Sequence, residues 1–114
     1  MSFVALVQAM VRTAMSEEML FRGFLGKRLI GWLGFGVGNT AQALVFGAIH
    51  GLLFMGASTG LSTLALAAVV LLPAVQGWLI GWLNERLGGG SIVPGWCAHA
   101  VANALTFAVI PLVL

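Results

Sequence analysis

The most constraining feature of the sequence is a run of 23 residues, from Ser62 to Asn84, that contains no Asp, Glu, Lys or Arg. Other long apolar runs lie on both sides of it. Backbone N–H and C=O groups in lipid must be satisfied internally, which leaves α-helices or a closed β-barrel. The runs are long and do not alternate every second residue, so helices are predicted.

Composition indicates that these helices cross a membrane. The chain is 61% hydrophobic and 7% charged, whereas a soluble domain is about 25% charged. We therefore predict an integral membrane protein with membrane lipid as its solvent: an all-α, polytopic transmembrane bundle of about four helices, forming one domain over residues 1–114. The net charge of +2 is too small and scattered for a nucleic-acid partner.

Glycine-rich or polar loops are predicted to separate the four helices. Loop one is GWLGFGVGN, loop two is GASTG and loop three is ERLGGGS. Pro73 is expected to kink the third helix. The predicted helices run from about Phe3 to Ile30, Thr40 to Met55, Ser62 to Asn84 and Val93 to Leu112.

Basic residues predict the orientation of the chain. Lys27 and Arg28 flank loop one, Arg86 lies in loop three, and loop two has no charge. Positive residues favour the cytoplasm, so loops one and three are expected there and both termini outside. The expected location is the plasma membrane of a prokaryote.

Polar groups inside membrane helices are costly and by default indicate function. Counted from the predicted cytoplasmic helix ends at about 1.5 Å per residue, Glu17 lies roughly 20 Å deep, His50 roughly 17 Å, His99 roughly 12 Å and Asn103 roughly 18 Å. Polar groups from three helices are thus predicted to meet at one level. The polar cluster that begins at Asn84 lies at a helix end and is interpreted as solvated.

The two adjacent glutamates are predicted to differ. Glu18 and Arg22 are four residues apart on one helix face, in the favoured order of acid before base. Glu17 is rotated by about 100° and has no such partner, because position 21 is Phe. We interpret Glu18 and Arg22 as a structural ion pair and Glu17 as a candidate general base.

Two histidines complete the set. Phe46 precedes His50 by one helical turn, so its ring can pack beside the imidazole, and His99 and Asn103 share a helix face. A lone membrane histidine is usually a hydrogen-bonded packing residue. Two histidines, an unpaired glutamate and an asparagine at one depth instead favour a functional site.

The three motifs resemble those of a known family. EEMLFR has the form E-E-x-x-x-R, FGAIH the form F-x-x-x-H and HAVAN the form H-x-x-x-N. In this order, on separate helices, they are similar to the motifs of the CPBP family, also called the Abi family. Its members are intramembrane metalloproteases related to CAAX prenyl proteases and to bacteriocin-processing and immunity proteins. The resemblance covers about residues 12 to 106.

The resemblance implies a reaction and roles for the first motif. The reaction is hydrolysis of a peptide bond in a protein or peptide at the membrane, with CAAX-type prenylated proteins among the candidate substrates. Glu17 would activate the attacking water. Glu18 and Arg22, with Phe46 from the second motif, would support the site.

The remaining motif residues imply oxyanion stabilisation and raise the question of a metal. His50 and His99 would position the water or bind a metal, and Asn103 would stabilise the oxyanion on the scissile carbonyl. Glu17, His50 and His99 form a known type of catalytic zinc ligand set, which leaves one position for water. One divalent ion, with Zn²⁺ as the leading choice, and a metal-free reaction therefore both stay open.

Chain length and function carry further alternatives. Family members usually have additional membrane helices before the first motif, and this chain begins 16 residues ahead of Glu17. A core truncated at the N-terminus, a fragment and an unusually small member are the expected alternatives. A non-catalytic membrane interaction or bacteriocin-immunity protein that keeps the protease fold is the second functional hypothesis. A proton or ion carrier that uses the same buried residues is the third.

Overall fold

A computed structural model of the chain describes residues 2–57 and 60–113. Within these ranges the chain forms four long helices and no strand, which confirms the predicted all-α fold. The helical elements are α1 (Phe3–Glu18), a first π-helical segment (Met19–Gly26), α2 (Lys27–Leu33), α3 (Phe35–Ala57), α4 (Thr63–Trp82), a second π-helical segment (Leu83–Leu87) and α5 (Val93–Val113).

The first long helix consists of α1, the first π-helical segment and α2, which follow one another without a break. Its start is capped by Ser2, whose hydroxyl oxygen accepts a hydrogen bond from the backbone N–H of Ala5 at 3.1 Å. The π-helical segment begins directly after Glu18, and such segments often occur at functional sites. Six of the eight charged residues of the chain lie on this helix: Arg12, Glu17, Glu18, Arg22, Lys27 and Arg28.

The loop predicted between the first two helices is much shorter than expected. Only Gly34 interrupts the helices, with a φ of 83°, in the left-handed region that glycine adopts at little cost. The second long helix, α3, therefore begins at Phe35 and not near Thr40. A Cβ on Gly38 would lie 2.5 Å from Cα of Ile30. Gly38 thus permits a close helix crossing where the sequence predicts a long loop.

The third long helix begins with a cap and runs through a proline. The hydroxyl of Ser62 accepts a hydrogen bond from the backbone N–H of Ala65 at 3.1 Å. The helix continues past Pro73 to Trp82 and then into the second π-helical segment. Of the predicted loop GASTG that precedes it, Ser58 and Thr59 lie outside the described residues.

Buried amides join α3 to α4. The side chain of Gln42 donates to the carbonyl oxygen of Gly77 at 3.0 Å, and that of Asn39 donates to the carbonyl oxygen of Trp78 at 3.0 Å. Gln42 also donates to Asn39 at 2.9 Å. Because lipid offers no hydrogen-bonding partners, such amides need partners within the protein, and their bonds to α4 stabilise this helix pair.

The distribution of polar and apolar side chains is the reverse of that in a soluble protein. The largest fully buried side chains are Phe46, Gln42, Glu18, Asn39 and Asn84. The outer surface is instead covered by large apolar residues, which lipid solvates. The described residues contain two helices long and apolar enough to cross a membrane, Phe35–Gly56 with 22 residues and Thr63–Leu87 with 25, since about 20 suffice.

The ends of the first and third long helices meet at one side of the bundle. The ammonium group of Lys27 donates to Glu85 and, at 2.7 Å, to the carbonyl oxygen of Gly90. The guanidinium of Arg86 lies 4.3 Å from the ring centroid of Phe35. These contacts hold the end of the third long helix and loop three against α2 and the start of α3.

Candidate active site

The centre of the site is a buried ion pair on the first long helix. Nη1 of Arg22 donates to Oε1 of Glu18 at 2.9 Å, and the two side chains are 2% and 0% exposed. The pairing predicted from the i, i+4 spacing is therefore present. The Arg22 guanidinium also lies 4.2 Å from the ring centroid of Phe46, which comes from α3. The ring covers a cation that is buried from solvent.

His99 of α5 joins both glutamates of the first motif. Its Nδ1 lies 2.8 Å from Oε1 of Glu18, and its Nε2 lies 3.3 Å from Oε2 of Glu17. The Glu18 oxygen already accepts from Arg22, so it acts as an acceptor and His99 Nδ1 carries the proton. In the second contact, Nε2 of His99 faces the side chain of Glu17.

Glu17 has a partner that its position in the sequence did not reveal. The spacing predicts a carboxylate without a partner, because spacing reveals only partners one turn away on the same helix. The partner comes from α5, far along the chain. The side chain of Glu17 is 29% exposed, whereas that of Glu18 is fully buried. The adjacent glutamates thus have different surroundings, and the general-base role of Glu17 stays a prediction.

His50 is held by the backbone one turn earlier on α3. Its Nδ1 lies 2.8 Å from the carbonyl oxygen of Phe46. A carbonyl oxygen only accepts, so Nδ1 is the protonated nitrogen and Nε2 keeps its lone pair free in the neutral ring. The Phe46 ring contacts His50 edge to face, with centroids 4.4 Å apart, as the motif spacing predicts.

Phe46 lies at the junction of the three helices that carry the motifs. Its ring centroid is also 6.0 Å from that of His99, at an interplanar angle of 90°, and 5.0 Å from that of Phe21. Only 1% of Phe46 is exposed. Phe46 therefore fixes the separation of the two histidines and contacts the cation of the buried ion pair.

The fourth candidate residue, Asn103, lines a cavity of about 370 Å³ between α1 and α5. Thr13 precedes Glu17 by one turn and Asn103 follows His99 by one turn, so this cavity adjoins the contact between Glu17 and His99. We call it the α1–α5 cavity. It is lined by Leu6, Ala9, Met10, Thr13, Asn103 and Thr106.

A second cavity, of about 350 Å³, is lined mainly by residues of α3 and α4. It opens beside His50 and shares the residue Thr106 with the α1–α5 cavity. Its wall is apolar except for a few polar side chains. It is lined by His50, Phe54, Ala68, Val69, Leu72, Pro73, Gln76 and Thr106.

The predicted metal ligands do not fit a metal ion in this arrangement. Within residues 2–57 and 60–113, no group of three or more His, Cys, Asp or Glu side chains is placed to hold one. Zinc ligands must converge on one point at about 2.0–2.2 Å. Both ring nitrogens of His99 instead face carboxylates, and the ring of Phe46 contacts each histidine. The mechanism below therefore has no step that depends on a metal.

The buried amides are not among the site residues predicted from the sequence, and one of them lies in an environment different from the predicted one. The sequence predicts a solvated helix end at Asn84, but Asn84 is 1% exposed and its side chain accepts a hydrogen bond from the backbone N–H of Gly95 at 2.7 Å. Asn39 and Gln42 are similarly buried. The available signal was the presence of amides in apolar helices, where an unpaired amide is costly.

These features define a helical integral membrane protein in which a buried cluster of two glutamates, an arginine and a histidine unites separate helices. The family model for type II CAAX prenyl endopeptidases, Rce1-like, matches residues 1–105. The chain belongs to this family, which confirms the resemblance to CPBP and CAAX proteases and supports a protease that acts on membrane-associated proteins. No curated protein and no solved structure matches the chain.

Proposed function

We propose that the protein is an intramembrane endopeptidase that hydrolyses a peptide bond of a membrane-associated protein or peptide, including CAAX-type prenylated proteins. The observation that carries the proposal is the contact of His99 with both glutamates. It brings together the part-exposed carboxylate of Glu17, the imidazole of His99 and the buried carboxylate of Glu18, which Arg22 neutralises. The α1–α5 cavity lies beside them. Family membership supports the same reaction class.

Glu17 acts as the general base. Its carboxylate takes a proton from a water molecule as the water oxygen bonds to the scissile carbonyl carbon. The C–N bond then breaks, and the leaving amine receives that proton. Glu17 is suited to this because it is part-exposed and adjoins the α1–α5 cavity. Glu18, neutralised by Arg22, holds the imidazole of His99 through Nδ1.

The histidines and Asn103 stabilise the reacting groups. Nε2 of His99, when protonated, and the amide of Asn103 lie one turn apart on α5 and donate hydrogen bonds to the oxyanion. Nε2 of His50 is the free nitrogen of its ring, and it accepts a hydrogen bond from the attacking water. The two cavities that meet at Thr106 hold the substrate segments on either side of the scissile bond.

We also propose that the protein lies in the plasma membrane of a prokaryote with loops one and three in the cytoplasm. The support is that Lys27, Arg28 and Arg86 all lie at the helix ends joined by the contact between Lys27 and Glu85. A cysteine introduced at Arg86 in a Cys97→Ser background should resist membrane-impermeant thiol reagents in intact cells. Rapid labelling at position 86 would show the opposite orientation, with loops one and three outside the cell.

Reconstituted protein is expected to cleave a peptide that ends in a prenylated CAAX sequence faster than the same peptide without the prenyl group. The lipid group concentrates the substrate at the membrane and adds apolar contacts. Initial rates in proteoliposomes measure the difference. Equal rates would show that the prenyl group is not recognised.

A cellular protective effect that survives Glu17→Gln and His50→Ala, without cleavage of any peptide, would instead support the non-catalytic role.

Removal of divalent metals is expected to leave peptide cleavage unchanged. The reason is that both nitrogens of His99 are directed at glutamates and do not converge with His50 on a common point. The measurement is metal content of the purified protein, together with cleavage rates before and after chelation. A stoichiometric metal whose removal abolishes cleavage and whose return restores it would show that Glu17, His50 and His99 rearrange into the predicted ligand set.

A further inference from the structure

Asn84 makes a buried contact between two helices that the proposed mechanism does not use. It lies in the second π-helical segment, after α4, and is 1% exposed. Its side-chain oxygen accepts a hydrogen bond from the backbone N–H of Gly95, in the first turn of α5, at 2.7 Å. Its own carbonyl oxygen accepts from the N–H of Gly90 at 2.8 Å. Asn84 thus contacts both the loop before α5 and the start of α5.

Without this contact, the backbone N–H of Gly95 in the first turn of α5 would lose its hydrogen-bond partner. A helix leaves its first four N–H groups without intrahelical partners. The intrahelical bonds of α5 begin at Trp96, which donates to the carbonyl oxygen of Ile92 at 2.9 Å. Before it, Val93 donates to the hydroxyl of Ser91 at 3.2 Å, and Pro94 has no N–H. Gly95 is the remaining donor, and Asn84 is its partner.

The fit between Asn84 and Gly95 is close. A Cβ on Gly95 would lie 2.5 Å from the side-chain oxygen of Asn84 and 2.6 Å from Cγ2 of Ile80. No side chain can be added at position 95 unless one of these groups moves. The contact therefore sets the distance of α5 from the end of α4 and its rotation about its own axis.

Gly95 is in register with the part of α5 that carries the proposed chemistry. His99 follows it by four residues and Asn103 by eight, so all three lie along one side of the helix. His99 must reach Glu17 and Glu18 at the same time, at 3.3 Å and 2.8 Å. A small shift or rotation of α5 would break at least one of these contacts.

We infer that Asn84 is a positioning residue: by accepting the Gly95 N–H it holds α5 in the register that lets His99 contact both glutamates. Its effect on catalysis rests on the proposed function, but its effect on His99 does not. α4 carries none of the three sequence motifs, and through Asn84 the third long helix holds the start of α5.

The experiment compares three variants of the full chain in proteoliposomes. Asn84→Leu keeps the approximate size but removes the acceptor. Asn84→Asp keeps an acceptor and places a negative charge at a helix N-terminus, where it is favoured. Asn39→Leu is the matched control, because it removes another buried amide that joins two helices away from α5.

Asn84→Leu is expected to lower kcat about 10- to 100-fold, as a misplacement on the order of 1 Å can do, while KM stays nearly constant. Asn84→Asp should recover most of kcat. Asn39→Leu should lower the thermal midpoint as Asn84→Leu does, but with little change in kcat. Equal losses of kcat in Asn39→Leu and Asn84→Leu, or no recovery in Asn84→Asp, would overturn the positioning role.

A spectroscopic readout separates this inference from the proposed function. The chain has two histidines, so nitrogen resonances of histidine-labelled protein report His99, with His50 as the internal reference. Asn84→Leu should shift the His99 resonances and leave those of His50 in place. If the wild-type protein cleaves no peptide but Asn84→Leu still shifts the His99 resonances, the proposed function is wrong and the positioning role stands. Unchanged His99 resonances would reject the positioning role.

Discussion

Replacing Glu17 by Gln is expected to slow peptide cleavage by about 10²- to 10⁴-fold, the contribution typical of a positioned general base. The amide has nearly the size of the carboxylate but cannot take a proton from water. The Gln side chain can keep the contact with Nε2 of His99, and the 29% exposure of Glu17 allows the exchange without a buried gap. The fold should therefore be retained while the chemistry is lost.

Glu85→Gln is the matched control for this variant. The chain has three acidic residues, and Glu85 is the one outside the cluster, part-exposed and paired with Lys27. Such part-exposed pairs contribute about 0–1 kcal/mol, so both stability and cleavage should stay close to wild type. Cleavage rates and unfolding midpoints of the two variants are measured together. A Glu17→Gln protein that cleaves at the wild-type rate would eliminate Glu17 as the base.

Replacing Arg22 by Leu is expected to destabilise the protein by about 3–5 kcal/mol, the usual cost of removing one partner of a buried ion pair. The fully buried carboxylate of Glu18 would lose its cation and keep only the hydrogen bond from His99. The contact of the guanidinium with Phe46 would be lost as well. Equilibrium unfolding in detergent or bicelles measures the change.

The double variant Glu18→Gln with Arg22→Leu is expected to be more stable than Arg22→Leu alone. It leaves no unpaired charge in the interior, and the Gln oxygen can still accept from Nδ1 of His99. With Glu18→Gln as the fourth protein, the set forms a double-mutant cycle. A double variant whose loss equals the sum of the two single losses would indicate that the pair contributes no coupling energy.

Local features of the site were predictable from the sequence because they depend on helical geometry alone. Glu18 and Arg22 pair because residues four apart lie on one face, and Phe46 contacts His50 for the same reason. The bond from His99 to Glu18 was not predictable, because it depends on the rotation of α5 relative to α1. Asn84 was misinterpreted because a helix end in the sequence gives no information about whether another helix covers it.

Loop one shows the same limit for the fold. Four glycines in GWLGFGVGN indicated a loop, since glycine is the least favourable helix residue after proline. Of these four glycines, only Gly34 has a positive φ, while Gly38 lies in α3 against the backbone of Ile30. Glycine lowers local helix propensity and also permits close packing, and local sequence does not distinguish the two effects.

The sequence by itself determined that membrane lipid surrounds the protein, that the fold is all-α, and that side chains one helical turn apart form pairs. Apolar runs long enough to cross a bilayer leave the backbone no choice but internal hydrogen bonds, and the period of the helix does the rest. Only the tertiary structure decided which partners meet across helices: His99 with both glutamates, Phe46 between the two histidines, and Asn84 with the start of α5. These contacts depend on the distances and rotations between helices, which arise from the packing of all four together.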